Sequence, residues 1–160
     1  MQVRKAESED APAIAAIIMP VIREGTTYAL DTGMSEADAL AYWLGEDKET
    51  FVVEEDGAIL GTYYLRPNQA GGGSHVCNCG YMTASAATGR GIARRMCEHS
   101  IVHAKARGYQ AMQFNFVVST NERAVGLWRK LGFDIVGRLP GAFRHPAEGC
   151  VDALVMFRKL

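Results

Sequence analysis

Apolar residues recur along this chain with two periods, and the alternation between them lays out the secondary structure. Ile14, Ile17, Ile18, Val21 and Ile22 fall at helical spacing behind Ser8, a residue type suited to a helix start. Pro20 is expected to end or kink that helix, because it lacks the N–H that continues the ladder. A polar, irregular loop over residues 25–34 follows. Ser35-Glu36-Ala37-Asp38 then resembles a capping box and leads a short second helix through Ala41, Trp43 and Leu44. Strand-like runs stand before and after: residues 3–5, then 51–55 and 58–65 joined by Asp56-Gly57, a pair that favours a tight hairpin.

Beyond the hairpin, residues 66–74 with Gly71-Gly72-Gly73 form a flexible connection, and residues 75–82 read as a strand. A long helix should fill residues 91–107 and stop at Gly108. Residues 109–118 are strand-like, and residues 121–131 form a helix closed by Gly132, where left-handed backbone is needed. Residues 133–137 and 151–157 supply two last strands, with a loop containing Pro140 and Pro146 between them. No repeat, low-complexity run or linker divides the chain, so residues 1–160 are expected to form one domain.

Composition narrows the partners. Seventeen Lys and Arg against eighteen Asp and Glu give a net charge of −1, which supplies no general field for nucleic acid or an acidic membrane. No stretch is apolar enough to span a bilayer or serve as a leader, and a cytoplasmic protein is expected. Cys77 and Cys79 sit two apart on one face of a strand, without disulfide geometry, so reduced thiols are expected. The run His75-Val76-Cys77-Asn78-Cys79 has no second ligand pair at zinc spacing, and no metal is expected.

Two segments carry the chemistry. Thr88-Gly89-Arg90-Gly91-Ile92-Ala93 opens a helix directly after a strand. Its glycines let backbone N–H groups approach an anion at the positive end of the helix dipole. The second, residues 121–133, places Asn121 at a helix start, then Ala124, Trp128 and Leu131-Gly132-Phe133. Together, in this order, they resemble the GNAT family of N-acetyltransferases over nearly the whole chain. The resemblance implies a single α/β (α+β) domain with a mixed, mostly antiparallel sheet of six to seven strands flanked by four helices. It also implies acetyl-CoA as co-substrate.

In that family the loop reads Arg or Gln, x, x, Gly, x, Gly or Ala. Gly91 and Ala93 match, while Thr88 departs and shifts the anion grip toward backbone. The resemblance implies a cleft where residues 75–82 splay from residues 109–118. There Met82 and Thr83 would pair with the pantetheine, and Thr88, Gly89, Arg90, Gly91, Ile92 and Ala93 would hold the pyrophosphate. Asn121, Ala124 and Trp128 would line the cofactor arm. Arg90, Arg94, Arg129 and Lys130 are candidates for outer phosphates, with solvated surface charge as the alternative. The family often has Tyr where this chain has Trp128, and indole cannot protonate a leaving thiolate. Water or Tyr81 is left as proton source, and a thiolate leaves tolerably unaided.

Asn78 and Asn115 interrupt apolar strands in which asparagine is disfavoured. Two such amides could grip a carboxylate or orient an amine, or each could satisfy a bulge or strand end. The runs around Asn78, Asn115 and Asn121 look like the fungal L-azetidine-2-carboxylate N-acetyltransferases within GNAT, which implies Asn78 and Asn115 as contacts to a small imino acid. Tyr28 and Phe143, in the loops at residues 25–28 and 140–146, would wall the acceptor, and Arg144 is a candidate for its carboxylate. Candidate bases are His75, His145 or a water held by Asn78 and Asn115, a lone His being more often a structural or surface residue than a base, and an acyl-enzyme on Cys77, Cys79 or Cys97 lacks a recognisable His partner. The expected acceptor is a small amine or imino acid, and homodimers are common among resembling proteins. A peptide N-acetyltransferase and a non-catalytic acyl-CoA-binding module are the other readings.

Overall fold

The computed structural model describes Met1–Leu160. Its strands are β1 (Gln2–Lys5), β2 (Glu49–Glu55), β3 (Ala58–Pro67), β4 (Val76–Thr83), β5 (Ala111–Val118), β6 (Asp134–His145) and β7 (Gly149–Lys159). Its helices are α1 (Ala11–Glu24), α2 (Glu36–Trp43), α3 (Ile92–Ala106) and α4 (Glu122–Lys130). The strands make one sheet ordered β1-β2-β3-β4-β5-β7-β6. Every neighbouring pair is antiparallel except β4 with β5. None of the helices is long and apolar enough to cross a membrane.

Period-2 alternation sorts the side chains to two faces. Val52, Tyr64 and Met82 turn toward α1 and α2, where they meet Ile14, Ile18, Ile22 and Trp43. Phe51, Tyr63, Leu65 and Phe114 turn the other way, onto Met96, Cys97 and Phe133. Trp43 is fully buried, and its indole N–H donates to Thr62 Oγ1 at 3.0 Å. Thr62 in turn donates to the Phe51 carbonyl at 2.9 Å, and Thr50 donates to the Trp43 carbonyl at 2.9 Å. The largest side chain on this face therefore leaves no polar atom unsatisfied.

Three local expectations change. Ser8 begins a 3-10 turn, Ser8–Asp10, and α1 starts only at Ala11. Asp10 explains the shift: its carboxylate accepts from the Glu7 N–H at 2.8 Å and from Arg4 at 2.7 and 2.9 Å. The Arg4 hydrogen bonds hold its pKa below the usual carboxylate value. Pro20 does not end α1, which continues to Glu24 and closes at Gly25 with φ of 65°. Pro20 is exposed, while Ile17, Ile18 and Ile22 on either side are buried, so packing holds the helix across the missing hydrogen bond. Residues 140–145 are not a loop: β6 runs to His145, with register shifts between Ile135 and Gly137 and between Leu139 and Phe143. As the outermost strand, β6 can carry Pro140 and a left-handed Gly141 at φ of 58° within those irregularities.

Gly61 on β3 sets the distance from sheet to α3. A Cβ there would lie 2.7 Å from Ile92 Cγ2 and 3.1 Å from the Met96 sulfur, so the first turns of α3 rest directly on β3 backbone. Gly61→Ala is expected to destabilise the fold by about 1–3 kcal/mol, read as a lower urea midpoint. A midpoint equal to that of the unaltered protein would show that α3 shifts freely.

Candidate active site

β4 and β5 pair only through Val76 with Ala111 and Cys77 with Met112, and then part. Parting opens a cleft of about 950 Å³ that runs from the α1–α2 loop to the start of α3. The strand edges in it need partners, because buried main-chain groups must be hydrogen-bonded. Asn78 donates its Nδ2 to the Gln113 carbonyl at 2.9 Å, bridging the strands where the ladder stops. Tyr28 reaches over from the α1–α2 loop: its hydroxyl accepts from the Tyr81 N–H at 2.8 Å and donates to the Tyr81 carbonyl at 2.9 Å. Burial pushes the Tyr28 phenol far above its ordinary pKa, so it stays protonated and acts as a strut.

The α3 end of the cleft is built from backbone. Gly89 and Gly91 have φ of 85° and 79°, and the left-handed Gly91 is the N-cap of α3. The N–H groups of Gly89, Gly91, Ile92, Ala93 and Arg94 have no main-chain acceptor, and the first intrahelical bond runs from Arg95 N to the Gly91 carbonyl at 3.0 Å. Thr88, Gly89, Gly91, Ile92 and Ala93 all line the cleft. Unpaired N–H dipoles at a helix start make this end of the cleft positive, an arrangement suited to an anion. Arg90 does not join it: its side chain is ion-paired with Glu55 on β2, and its N–H donates to Ala87. Arg123, which lines the cleft, lies beside the loop instead: a Cβ on Gly89 would lie 3.7 Å from its Nη2.

Opposite these N–H groups, α4 presents Asn121, Ala124 and Trp128 to the cleft. Asn121 caps the helix, its Oδ1 accepting from Ala124 N at 3.4 Å. Trp128 is 8% exposed and packs between Tyr81 and Phe114, with ring centroids 5.1 and 5.3 Å away. It forms an apolar wall.

At the other end of the cleft, Asn115 sits within the irregular stretch of β5 between Phe114 and Val117. Its amide is already used: Oδ1 accepts from Gln113 at 2.9 Å and Nδ2 donates to Asn68 at 2.6 Å. Both asparagines thus do structural work. Asn78 Oδ1 has no protein partner and is not sealed from solvent, so it remains available in the cleft.

Four sequence expectations need correction here. The Tyr81 hydroxyl bonds Ser100 Oγ at 2.8 Å and lies against Met112 and Cys97, turned into the core. Burial and the neighbouring thiols push its pKa well up, so it is not placed to deliver a proton to the cleft. Phe143 lies on β6 and packs behind Phe116 at 6.2 Å, outside the cleft lining, and Arg144 is likewise outside it. The side chain of Arg90 belongs to Glu55, as above. His75 is exposed outside the cleft, and His145 Nδ1 accepts from the Ala147 and Glu148 N–H groups, so neither is positioned as a base. Cleft residues that sequence reasoning missed are Arg123, Tyr42, Tyr64, Arg66 and Phe116. The period of β3 puts Tyr64 and Arg66 on one face, but only the register with β4 brings them to the cleft.

Residues 17–133 match the family model of the acetyltransferase (GNAT) family. The chain belongs to this family. Across its full length the GNAT fold is shared with a GCN5-related N-acetyltransferase from Kribbella flavida, at 42% identity and a TM-score of 0.94, covering 99% of this chain and 97% of that one. The N-acetyltransferase aca1 of Schizosaccharomyces pombe is 28% identical over 151 residues, covering 84% of this chain and 72% of the yeast protein. The fold is also that of yncA, a Salmonella typhimurium protein solved with its cofactor acetyl-CoA, at 21% identity and a TM-score of 0.88 over 100% of this chain and 94% of that one.

The arrangement of arginines predicts unequal effects on CoA affinity. Arg123→Gln should weaken CoA binding by about threefold to tenfold and reduce its salt sensitivity, whereas Arg90→Gln should leave it within about twofold. Equal losses in calorimetric titrations would mean that Arg90 leaves Glu55 for the ligand.

Proposed function

We propose that this GNAT acetyltransferase transfers the acetyl group of acetyl-CoA to the nitrogen of a small amine, with an imino acid such as L-azetidine-2-carboxylate as the preferred class. The observation that carries this reading is the cleft itself, with an N–H cradle at one end and a polar pocket at the other, joined by the open edge of β4. The cradle fits a pyrophosphate, and Met82 and Thr83 on the parted strand offer an edge along which an extended amide chain can lie. Bound there, acetyl-CoA supplies an activated thioester carbonyl. The protein contributes position and a dry wall, with Trp128 and Phe114 excluding water beside the thiol arm and Asn78 Oδ1 available to an acceptor N–H.

No histidine lines the cleft. Its buried thiol, Cys79, is held protonated by burial first and by the neighbouring Cys77 next, which disfavours an acyl-enzyme and supports direct transfer. The pocket lies under the α1–α2 loop, with Tyr28 pinning that loop to β4, which suits a small acceptor better than an extended peptide. Three buried free thiols and one exposed one suit a reducing, cytoplasmic setting. The outer strand β6 exposes Ile135, Val136 and Leu139, the face on which a homodimer would form; a monomeric mass in sedimentation rules that out.

Thiol release from acetyl-CoA, followed with a panel of amino acids, imino acids and simple amines, tests the assignment. Turnover is expected with small amines, and Asn78→Ala should raise KM more than it lowers kcat. Release with none of them, alongside measured CoA binding, leaves the binding module or the peptide enzyme. The pH profile is a second check. Because Tyr28, Tyr81 and Cys79 are all pushed upward and stay neutral, kcat/KM should climb as the acceptor amine loses its proton and then level off. A bell with an enzyme group titrating between about pH 6 and 8 would reveal a general base in the cleft.

A further inference from the structure

One cation lining the cleft is only loosely held, by a single long ion pair to Asp47. Arg66 stands directly opposite Asn78 in the β3–β4 register, so the two side chains leave the same face of the sheet. It lines the cleft and its side chain is 32% exposed. A guanidinium carries five N–H donors, yet none of those on Arg66 makes a hydrogen bond within the protein. The nearest carboxylate, Asp47, lies 3.7 Å from Nη1, and it already accepts from Lys48 Nζ at 3.0 and 3.2 Å. Arg66 Nε is sealed from solvent with no acceptor, and no other buried side-chain nitrogen or oxygen in the chain is left so.

Asp47 is shared with Lys48, and Nη1 and Nη2, unlike Nε, are not sealed from solvent, so a carboxylate entering the cleft can meet both of them with its two oxygens, matching the guanidinium fork. The surroundings favour such a guest. The Arg66 guanidinium stands 6.0 Å from the centroid of the Tyr64 ring, and Gly80 makes room for that ring, since a Cβ there would lie 2.7 Å from it. The asparagines cannot supply the charge. Asn78 Nδ2 is committed to Gln113, and Asn115 to Gln113 and Asn68.

We infer that Arg66 recognises the carboxylate of the acceptor, which makes the substrate class an α-amino or α-imino acid whose nitrogen lies on the Asn78 side. This inference rests on the proposed small-amine acetyl transfer and adds to it the group that selects among amines. Arg66 is a specificity residue; it takes no part in bond making.

The test compares L-azetidine-2-carboxylate with its carboxamide, in thiol-release kinetics and in calorimetric titration of each into CoA-saturated protein. The acid should be preferred, and Arg66→Ala should lower its kcat/KM by about thirtyfold or more, chiefly through KM, with the carboxamide changed by less than about threefold. Arg66→Lys, which keeps the charge and loses the fork, should fall between. Unchanged CoA affinity certifies that the variants are folded. Equal use of acid and carboxamide by the unaltered protein, or equal loss of both in Arg66→Ala, overturns the inference and leaves the acetyl-transfer reading standing. If no small amine turns over, that reading fails, and the titration still decides the site: acid binding abolished by Arg66→Ala supports a carboxylate site, and absence of acid binding to the unaltered protein overturns it.

Discussion

The parting of β4 from β5 is the constraint on which the rest of the structure depends. A parallel pair that stops after Cys77 and Met112 leaves two strand edges in the middle of a sheet, where unsatisfied N–H and C=O groups are costly. The fold meets this with side chains rather than backbone. Asn78 spans the gap to Gln113, and Tyr28 caps both main-chain groups of Tyr81 with one hydroxyl. What remains unpaired is confined to the cleft. The same device that keeps the sheet whole therefore fixes where an extended ligand can lie.

The division of labour along the cleft follows from charge. At the α3 end the electrostatic work falls to five backbone N–H groups and the helix terminus, whose positions are fixed by Gly89 and Gly91 and by the contact of α3 with Gly61. These backbone N–H groups need no particular side chain, so neither Thr88 in place of a long polar residue nor Arg90 committed to Glu55 removes any of them. At the opposite end, Arg66 supplies a formal charge and Asn78 an acceptor oxygen. Between them Trp128, Phe114 and Tyr81 pack into one aromatic wall, and the phenol that might have served as an acid is locked onto Ser100 instead.

Asn78 and Asn115 show why a conspicuous residue in a strand has two readings that sequence cannot separate. Each was legible as an amide in the wrong environment; Asn78 satisfies a strand carbonyl at the splay, while Asn115, in the irregular part of β5, is tied to the side chains of Gln113 and Asn68. For Asn115 both ends of the amide are consumed by Gln113 and Asn68, while Asn78 keeps one oxygen free. At Asn78 the structural need coincides with access to the cleft, because a cleft opened by strand divergence needs polar side chains at the point of divergence.

Local chemistry alone determined a good deal about this protein: the element order, the Asp-Gly hairpin, the left-handed glycines that open α3 and follow α4, and with them the family and the anion loop. These features depend on residues a few positions apart, whose conformational preferences are decided within a turn or a strand. Tertiary structure decided the rest. It carried α1 through Pro20 because buried isoleucines on either side outweigh one missing hydrogen bond, and it extended β6 through Pro140 because an edge strand can absorb a residue without an N–H. It turned Arg90 out to Glu55, brought Arg123 to the loop, buried the Tyr81 hydroxyl and set Arg66 opposite Asn78. Each of those outcomes depends on pairing or packing between residues distant in the chain, which the periodicity of a single segment does not encode.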